Sequence, residues 1–216
     1  MTKKDSKVET SLVLRSCRSD MTSQNNFIWP CVGGVAVCPD WKDNKECGNG
    51  LHGWLYGQGD ATASSYLDET AKWLVVEVET STIVMLGGKV KFPRGTVRFV
   101  GDKTAAAVYI IEHEERAKSV AVIGASLVVG DQQTCIVGYR GTATAGDSGT
   151  ATAGYSGTAT AGYRGTATAG YRGEIRVRWW DEKNQRYRTV IGYVGEDGIE
   201  ANVAYKLDHN HKLVKA

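Results

Sequence analysis

Glycine returns every eight residues, at Gly130, Gly138, Gly146, Gly154, Gly162 and Gly170, and this period constrains the chain more than any other feature. The units read ASLVVGDQ at 125–132, QTCIVGYR at 133–140, then GTATAGDS, GTATAGYS, GTATAGYR and GTATAGYR through residue 172. A glycine at fixed spacing marks a recurrent corner that needs either a positive φ or a close backbone approach. Between corners lie four or five residues of period-two pattern, the signature of a short strand. Strand–turn units repeated in this way stack into a solenoid rather than forming independent loops.

The degenerate units fix which side chains point inward. Octad positions three and five hold Leu127 and Val129, then Cys135 and Val137, then alanine in every later unit, so these positions form the core. Positions two and four, mostly threonine, face out. One strand and one turn per octad predicts two octads per coil, hence about 16 residues per turn and three coils. Residues one coil apart then stack, which places Tyr139, Tyr155 and Tyr171 on one edge and Asp131, Asp147, Tyr163 and Trp179 on the other. A row of tyrosines serves either as packing within the edge or as a homodimer or partner seam. Two buried alanine methyls per octad contribute on the order of 1.5 kcal/mol, whereas ordering each residue costs about 1 kcal/mol or more. The stack therefore needs covers at both ends. The larger residues of 125–137 make the bottom coil, and Trp179 and Trp180 of EIRVRWW are placed to close the far end.

Upstream, residues 12–16, 32–37, 72–79, 81–86, 89–94 and 96–101 read as strands. TAAAVYIIEHEER at 104–116 reads as a helix capped by Asp102, with Ala106, Tyr109, Ile110 and His113 near one face. His113-Glu114-Glu115 falls on its solvated end as surface charge, and a second short helix is expected around Asp60–Thr70. The fold class is mainly β: an α+β domain at 1–118, a short β-solenoid of octapeptide repeats at 119–172, and a C-terminal β cap at 173–216.

A net charge of +2 argues against a dedicated nucleic-acid binder. Nucleic acid stays open but disfavoured as a partner, because basic residues gather in the C-terminal half. Arg164, Arg172, Arg176 and Arg178 form the candidate basic strip for a phosphate-bearing ligand, with a solvated strand face as the plainer reading. The start MTKKDSKVETSLVLRS has no apolar run of signal-peptide length, and no later segment is long enough to span a membrane. Five cysteines without regular spacing suit reduced thiols in a cytoplasm. His209 and His211 fall in a C-terminal stretch expected to be mobile. No phosphate-binding Gly-x-x-x-x-Gly-Lys loop, His-Glu-x-x-His or Gly-x-Ser-x-Gly motif is present.

Three resemblances follow from these blocks. The octads GTATAGYS and GTATAGYR are similar to the repeats of bacterial ice-nucleation proteins, which implies a β-solenoid with outward Thr-x-Thr rows. Three such rungs make a patch on the order of 70 Å², too small to order ice. FIWP at 27–30 with CPDW at 38–41, CGNGLHGW at 47–54, KWLVVEVE at 72–79 and GGKVKFPRGTVRFVGD at 87–102 resemble an uncharacterised phage and bacterial family with similar repeats. This implies the architecture and a phage or prophage accessory protein, but no activity. Finally, ECGNGLHGW at 46–54 resembles the NAD-gripping phrase of some ADP-ribosyltransferase-like domains. Transferred by position, His52 takes the aromatic slot, Arg15 the first-strand slot, and Glu77 or Glu79 the acid; the second tyrosine, the Ser-Thr-Ser strand and a Glu-x-Glu loop are missing.

The glycines of CGNGLHGW otherwise read as a structural turn holding His52 by a hydrogen bond, or, with Cys31, Cys38 and Cys47, as a zinc site lacking any Cys-x-x-Cys knuckle. No metal or cofactor is expected. The leading functional expectation is a non-enzymatic protein that forms a homo-oligomer or binds a host protein in the cytoplasm through Tyr139, Tyr155 and Tyr171. The alternative is an NAD- or nucleotide-using enzyme built on Arg15, His52 and Glu77.

Overall fold

The computed structural model describes residues 8–216, so the first seven residues of the expected 1–118 domain lie outside the described residues. The chain forms two compact units, divided between Lys118 and Ser119.

The first unit holds β1 (Thr10–Cys17), β2 (Val35–Val37), β3 (Leu51–Leu55), β4 (Lys72–Glu79), β5 (Val84–Met85), β6 (Val90–Phe92), β7 (Arg94–Gly101) and α1 (Lys103–His113). The strands join in one antiparallel sheet of order β2-β7-β4-β1-β3-β6-β5. At its centre β1 and β4 pair from Thr10↔Glu79 to Cys17↔Lys72. Alternation along these two strands sends Val13, Cys17, Leu74, Val76 and Val78 into one apolar cluster with Trp29, Phe92 and Val97. Leu12, Leu14 and Val75 alternate away from that cluster and are buried too. α1 lies against β1, β4 and β7 and buries Ala106, Ala107 and Ile110.

Asp102 caps α1 as expected, its Oδ1 accepting from the Ala105 amide at 2.9 Å. The helix stops at His113, however, and continues only as a 3-10 turn over Glu115–Ser119. Nor does a helix form around 60–70. Asp60 caps a single 3-10 turn, Ala61–Ala63, and Asp68 accepts from the Thr70 amide and hydroxyl at 2.9 and 2.6 Å. Short polar side chains here hydrogen-bond the local backbone and compete with helix formation.

The charge at the end of α1 is not mere surface. Glu114 is only 6% exposed. Its carboxylate accepts from the Leu12 amide at 3.2 Å and from Arg116 Nε at 2.6 Å, tying the helix end to β1. His113 stacks on Tyr109 with ring centroids 4.0 Å apart. Burial pushes the Glu114 carboxyl up, but the hydrogen bonds from Arg116 and Leu12 outweigh it and hold the group below the usual carboxylate range. A carboxylate depressed in the fold adds stability above its unfolded value of about 4.3, and that stability is lost as pH falls through the folded value. Glu114→Gln, which keeps one acceptor oxygen but loses the charge, is therefore expected to lower stability by about 1–3 kcal/mol near neutrality, with the gap from the parent protein closing below about pH 4. Denaturant unfolding of both proteins at pH 7 and pH 3 checks this; an equal gap at both values would contradict it.

In the second unit, β8 (Ser126–Val129), β9 (Thr134–Val137), β10 (Thr142–Ala145), β11 (Thr150–Ala153), β12 (Thr158–Ala161) and β13 (Thr166–Ala169) are the six octad strands. They are followed by β14 (Glu174–Asp181), β15 (Arg186–Tyr193), β16 (Ala204–Leu207) and β17 (Leu213–Lys215). Odd and even octads separate into two five-stranded sheets, β15-β14-β12-β10-β8 and β17-β16-β13-β11-β9. Within each, parallel neighbours pair with a register of sixteen, as in Ala143↔Ala159 and Ala151↔Ala167. The solenoid is thus two octads per coil and three coils deep. The alanines of positions three and five are buried throughout, while Leu127 and Val129 of the first octad are partly exposed.

The corner glycines serve close approach. None of the position-six glycines has a positive φ. A Cβ on Gly162 would sit 2.5 Å from the Gly146 carbonyl carbon, and one on Gly170 2.7 Å from that of Gly154. The left-handed conformation falls instead on position eight: Gln132, Arg140, Ser148, Ser156, Arg164 and Arg172 all have φ between 50° and 59°. That turn aims the position-eight amide at the coil above, where Arg140 donates to the Tyr155 carbonyl and Ser156 to that of Tyr171, each at 2.9 Å.

Both sheets end in antiparallel strands. β14 pairs with β15 from Glu174↔Tyr193 to Asp181↔Arg186, and β16 pairs with both β13 and β17. Ile175, Val177, Ile199 and Tyr205 are buried in this cap. The Tyr205 hydroxyl accepts from the Glu200 amide at 2.8 Å and donates to the Gly198 carbonyl. Trp179 does not join the aspartate edge as expected. The octad register puts Arg178 where the corner glycine would be, so β14 runs straight on past that point. His211 stacks on Trp179 at 3.6 Å between centroids, so this part of the C-terminal stretch is a packed element of the cap.

Candidate functional site

The two long edges of the solenoid differ. On one, Tyr139, Tyr155 and Tyr171 form a row: the first two rings stack with centroids 5.7 Å apart, and the third follows at 5.8 Å, tilted by 46°. Tyr139 and Tyr155 are half-buried in this row, and Tyr171 at its end is 58% exposed. Arg140 and Arg172 lie over the rings of Tyr139 and Tyr171 at 5.3 and 5.6 Å. On the other edge the side chains repeat the backbone pattern. Asp131 Oδ1 accepts from the Asp147 amide and Asp147 Oδ1 from the Tyr163 amide, each at 2.8 Å. The sequence pattern placed these aspartates in line but gave no sign of that use. The cap reaches this edge, where the Tyr187 hydroxyl donates to Asp147 Oδ2 at 3.2 Å.

The expected basic strip is divided. Arg164 lies over Tyr163 on the aspartate edge and Arg172 over Tyr171 on the tyrosine edge. Arg176 and Arg178 project from β14, where Arg176 pairs with Glu174 and Arg178 lies 4.3 Å from the Tyr187 ring centroid. The octad turn alternates sides, so residues eight apart occupy opposite edges. The threonines are divided in the same way. Thr142/Thr144 and Thr158/Thr160 share one sheet, Thr150/Thr152 and Thr166/Thr168 the other. Each face carries two Thr-x-Thr rungs rather than the expected three.

In the first unit, CGNGLHGW is part turn and part strand. Gly48 takes a φ of +100°, but His52 and Gly53 lie within β3. A Cβ on Gly53 would meet Val13 Cγ1 at 2.4 Å, so this glycine lets β3 approach β1. The two strands pair only at Val13↔Leu55 and Leu14↔Trp54. Beyond these rungs a cleft of about 680 Å³ opens, within the size range of small-molecule sites. Arg15 and His52 both line it, and Arg15 Nη1 donates to the His52 carbonyl at 3.0 Å across the gap. The Arg15 guanidinium also donates to the Ser16 carbonyl at 3.1 Å and lies over Trp29 at 4.4 Å. Burial lowers Arg15 to about 10. Burial, with Lys89, Arg15 and Lys91 close by, lowers His52 to about 4, so the imidazole is neutral at physiological pH. Its Nε2 is positioned to accept from the Gly48 amide at 3.5 Å.

Glu77 does not join them. Arg15 is opposite Leu74 on β4, and Glu77, three residues further along, alternates to the other face and pairs with Arg98 at 2.9 Å. Glu79 accepts from the Ser81 hydroxyl. The transferase-like arrangement therefore keeps its cation and its imidazole in one cleft, without either acid. Among the described residues no three His, Cys, Asp or Glu side chains cluster as metal ligands. Cys31 and Cys47 are exposed, and the buried Cys38 thiol donates to Asp40 at 3.1 Å. No helix of the described residues is long and apolar enough to cross a membrane.

A model of a domain of unknown function, DUF7666, matches residues 11–111, a span that contains the FIWP, CGNGLHGW and KWLVVEVE blocks. An ice nucleation protein, InaU, of Pantoea ananas is 38% identical over 118 residues, 53% of this chain and 11% of the relative. Ice nucleation proteins of Xanthomonas campestris pv. translucens and Pseudomonas syringae are 39% and 37% identical, over 56% and 48% of this chain and 7% and 9% of theirs. The chain is similar to ice nucleation proteins. The chain itself has an N-terminal sheet domain followed by a β-solenoid of about three coils. It spans about a tenth of the length of the curated relatives it matches. No solved structure matches.

Proposed function

We propose that the chain is a non-enzymatic interaction protein that self-associates through the edge formed by Tyr139, Tyr155 and Tyr171. The observation that carries this is the stacked tyrosine row, which ends in a 58% exposed ring beside Arg172, whereas Tyr187 of the cap reaches over the aspartate edge. Tyrosine offers a large contact area with little side-chain entropy to lose, and arginine beside it adds cation–π contact with a facing ring. A second copy presenting the same row fits such a seam, because a two-fold interface is self-complementary. A host protein in the cytoplasm, met by a phage or prophage accessory protein, is the other occupant of the same edge. The relatives' name does not transfer as an activity. Two Thr-x-Thr rungs per face cover only about 35 Å², against about 800 Å² per partner in an ordinary stable protein interface.

Three rings stacked along one edge support weak association. Sedimentation velocity of the full chain should show a concentration-dependent dimer at high micromolar protein. Tyr155→Ala with Tyr171→Ala should shift it to monomer while far-ultraviolet circular dichroism stays unchanged, and Tyr171→Glu alone should do the same by placing repelling charge at the seam. A parent protein that stays monomeric at those concentrations would overturn self-association.

A further inference from the structure

The cleft beyond the short β1–β3 pairing has no part in the solenoid-edge reading, and its charge is unbalanced. Arg15 is held by two backbone carbonyls and the Trp29 ring, and the ion pairs of the described residues include neither Arg15 nor Lys89. Both line the cleft. The one carboxylate that also lines it, Asp40, accepts from the Cys38 thiol at 3.1 Å and the Asn49 amide at 2.8 Å, so two cations face a single anion that makes no ion pair with either. A guanidinium taken out of water without a carboxylate leaves a positive field that an anion neutralises at short range.

The walls have a different character. Phe27, Ile28, Leu51, Trp54 and Tyr66 line the same cleft, and Ile28 is 70% exposed although it borders a concave surface. Apolar and aromatic walls with a few convergent polar groups are the usual lining of a small-molecule site. Ser16 and Ser64, whose hydroxyls hydrogen-bond each other at 2.9 Å, add neutral donors and acceptors.

From this juxtaposition we infer that the cleft binds a small organic anion carrying a flat ring: the anionic group against Arg15 and Lys89, the ring against Phe27 and Ile28. Nucleoside monophosphates and aromatic carboxylates share this chemistry. His52 enters as a neutral hydrogen-bonding group of the wall, and the cleft holds ligand without transferring any part of it.

Isothermal titration of the full chain with AMP and with 2-naphthoate separates the two sources, and adenosine and 2-naphthamide are the neutral counterparts. At least one anion should bind at millimolar concentration or better, and about tenfold or more tightly than its neutral counterpart. Arg15→Met also removes the tie to the His52 carbonyl, so Lys89→Glu serves as the decisive variant. It reverses a charge in the lining and should weaken the anion about tenfold without changing the melting temperature by more than a degree or two. Ile28→Asp should weaken it similarly. Absence of binding by both anions at 10 mM would overturn the inference, as would equal affinity for the neutral compounds or an unchanged affinity in Lys89→Glu.

Discussion

Gly162→Ala is expected to destabilise the solenoid by about 2–4 kcal/mol, although it adds a single methyl group. The new Cβ would stand 2.5 Å from the Gly146 carbonyl carbon and 2.6 Å from the Asp147 amide nitrogen. Both are backbone atoms of the coil beneath, fixed by the parallel pairing of β10 with β12, and neither can rotate away. The coils would have to separate at that corner, breaking the bond from the Gly162 amide to the Ala145 carbonyl at 3.0 Å. Gly130 occupies the same octad position in the first coil, where nothing approaches a Cβ nearer than 3.9 Å. There the same substitution only restricts the unfolded chain and should be neutral or stabilising by about 0.4–1 kcal/mol. Denaturant unfolding measures both, followed by emission of Trp179 and Trp180 in a background where Trp29, Trp41, Trp54 and Trp73 are phenylalanine, or by hydrogen exchange of β10–β13 in the parent background. Equal effects at the two glycines would show that the corner is not set by coil-on-coil contact.

Lys91→Met should be of similar size and fall on the first unit. Lys91 is fully buried, and its ammonium donates to Asn44 Oδ1 at 2.7 Å and to the carbonyls of Glu46 and Gly48 at 2.9 and 3.4 Å. These three acceptors lie at residues 44–48, where the loop runs into the start of CGNGLHGW. Methionine keeps the packing of the lysine stem but satisfies none of them. Each hydrogen bond to a charged group contributes about 1.5–3 kcal/mol, so a net loss of about 2–4 kcal/mol is expected once water enters the loop. Hydrogen exchange should show residues 42–50 deprotected while β1 and β4 keep their protection. Unchanged exchange in that loop would mean that it is held by other contacts.

What could be read from the residues differs between the two units for a physical reason. In the solenoid each coil repeats the one before, so the glycine period fixes the coil length, and alanine against threonine fixes inside and outside. The tyrosine row followed from the same arithmetic. Which residue of each corner takes the positive φ did not follow, because two demands are met at separate positions: close approach by glycine at position six, chain reversal by whatever residue stands at position eight. The expectation for Trp179 failed because it extended the period past Gly173 without asking for the next corner glycine, where Arg178 stands.

In the first unit most strands and the Asp102 cap were legible, yet β3 was hidden. Three glycines in CGNGLHGW suggest turns. Only Gly48 takes a positive φ, whereas Gly50 and Gly53 make room for Lys91 and for Val13. Such close approach depends on a partner far away in sequence, as does the burial of Glu114 against the Leu12 amide. The cleft was half legible for the same reason. Arg15 and His52 could be nominated by residue type, but whether Glu77 joined them depended on strand register.

The central claim, two octads per coil with alanine inside and threonine outside, is tested most directly by the distance between threonines sixteen apart. Thr142→Cys with Thr158→Cys, spin-labelled in a background where the exposed Cys31 and Cys47 are serine, should show strong dipolar broadening, since neighbouring rungs are about 4.8 Å apart. Thr142→Cys with Thr150→Cys should show little, because those labels leave opposite sheets about 10 Å apart and point away from each other. Broadening in the eight-residue pair and none in the sixteen-residue pair would contradict the two-octad coil.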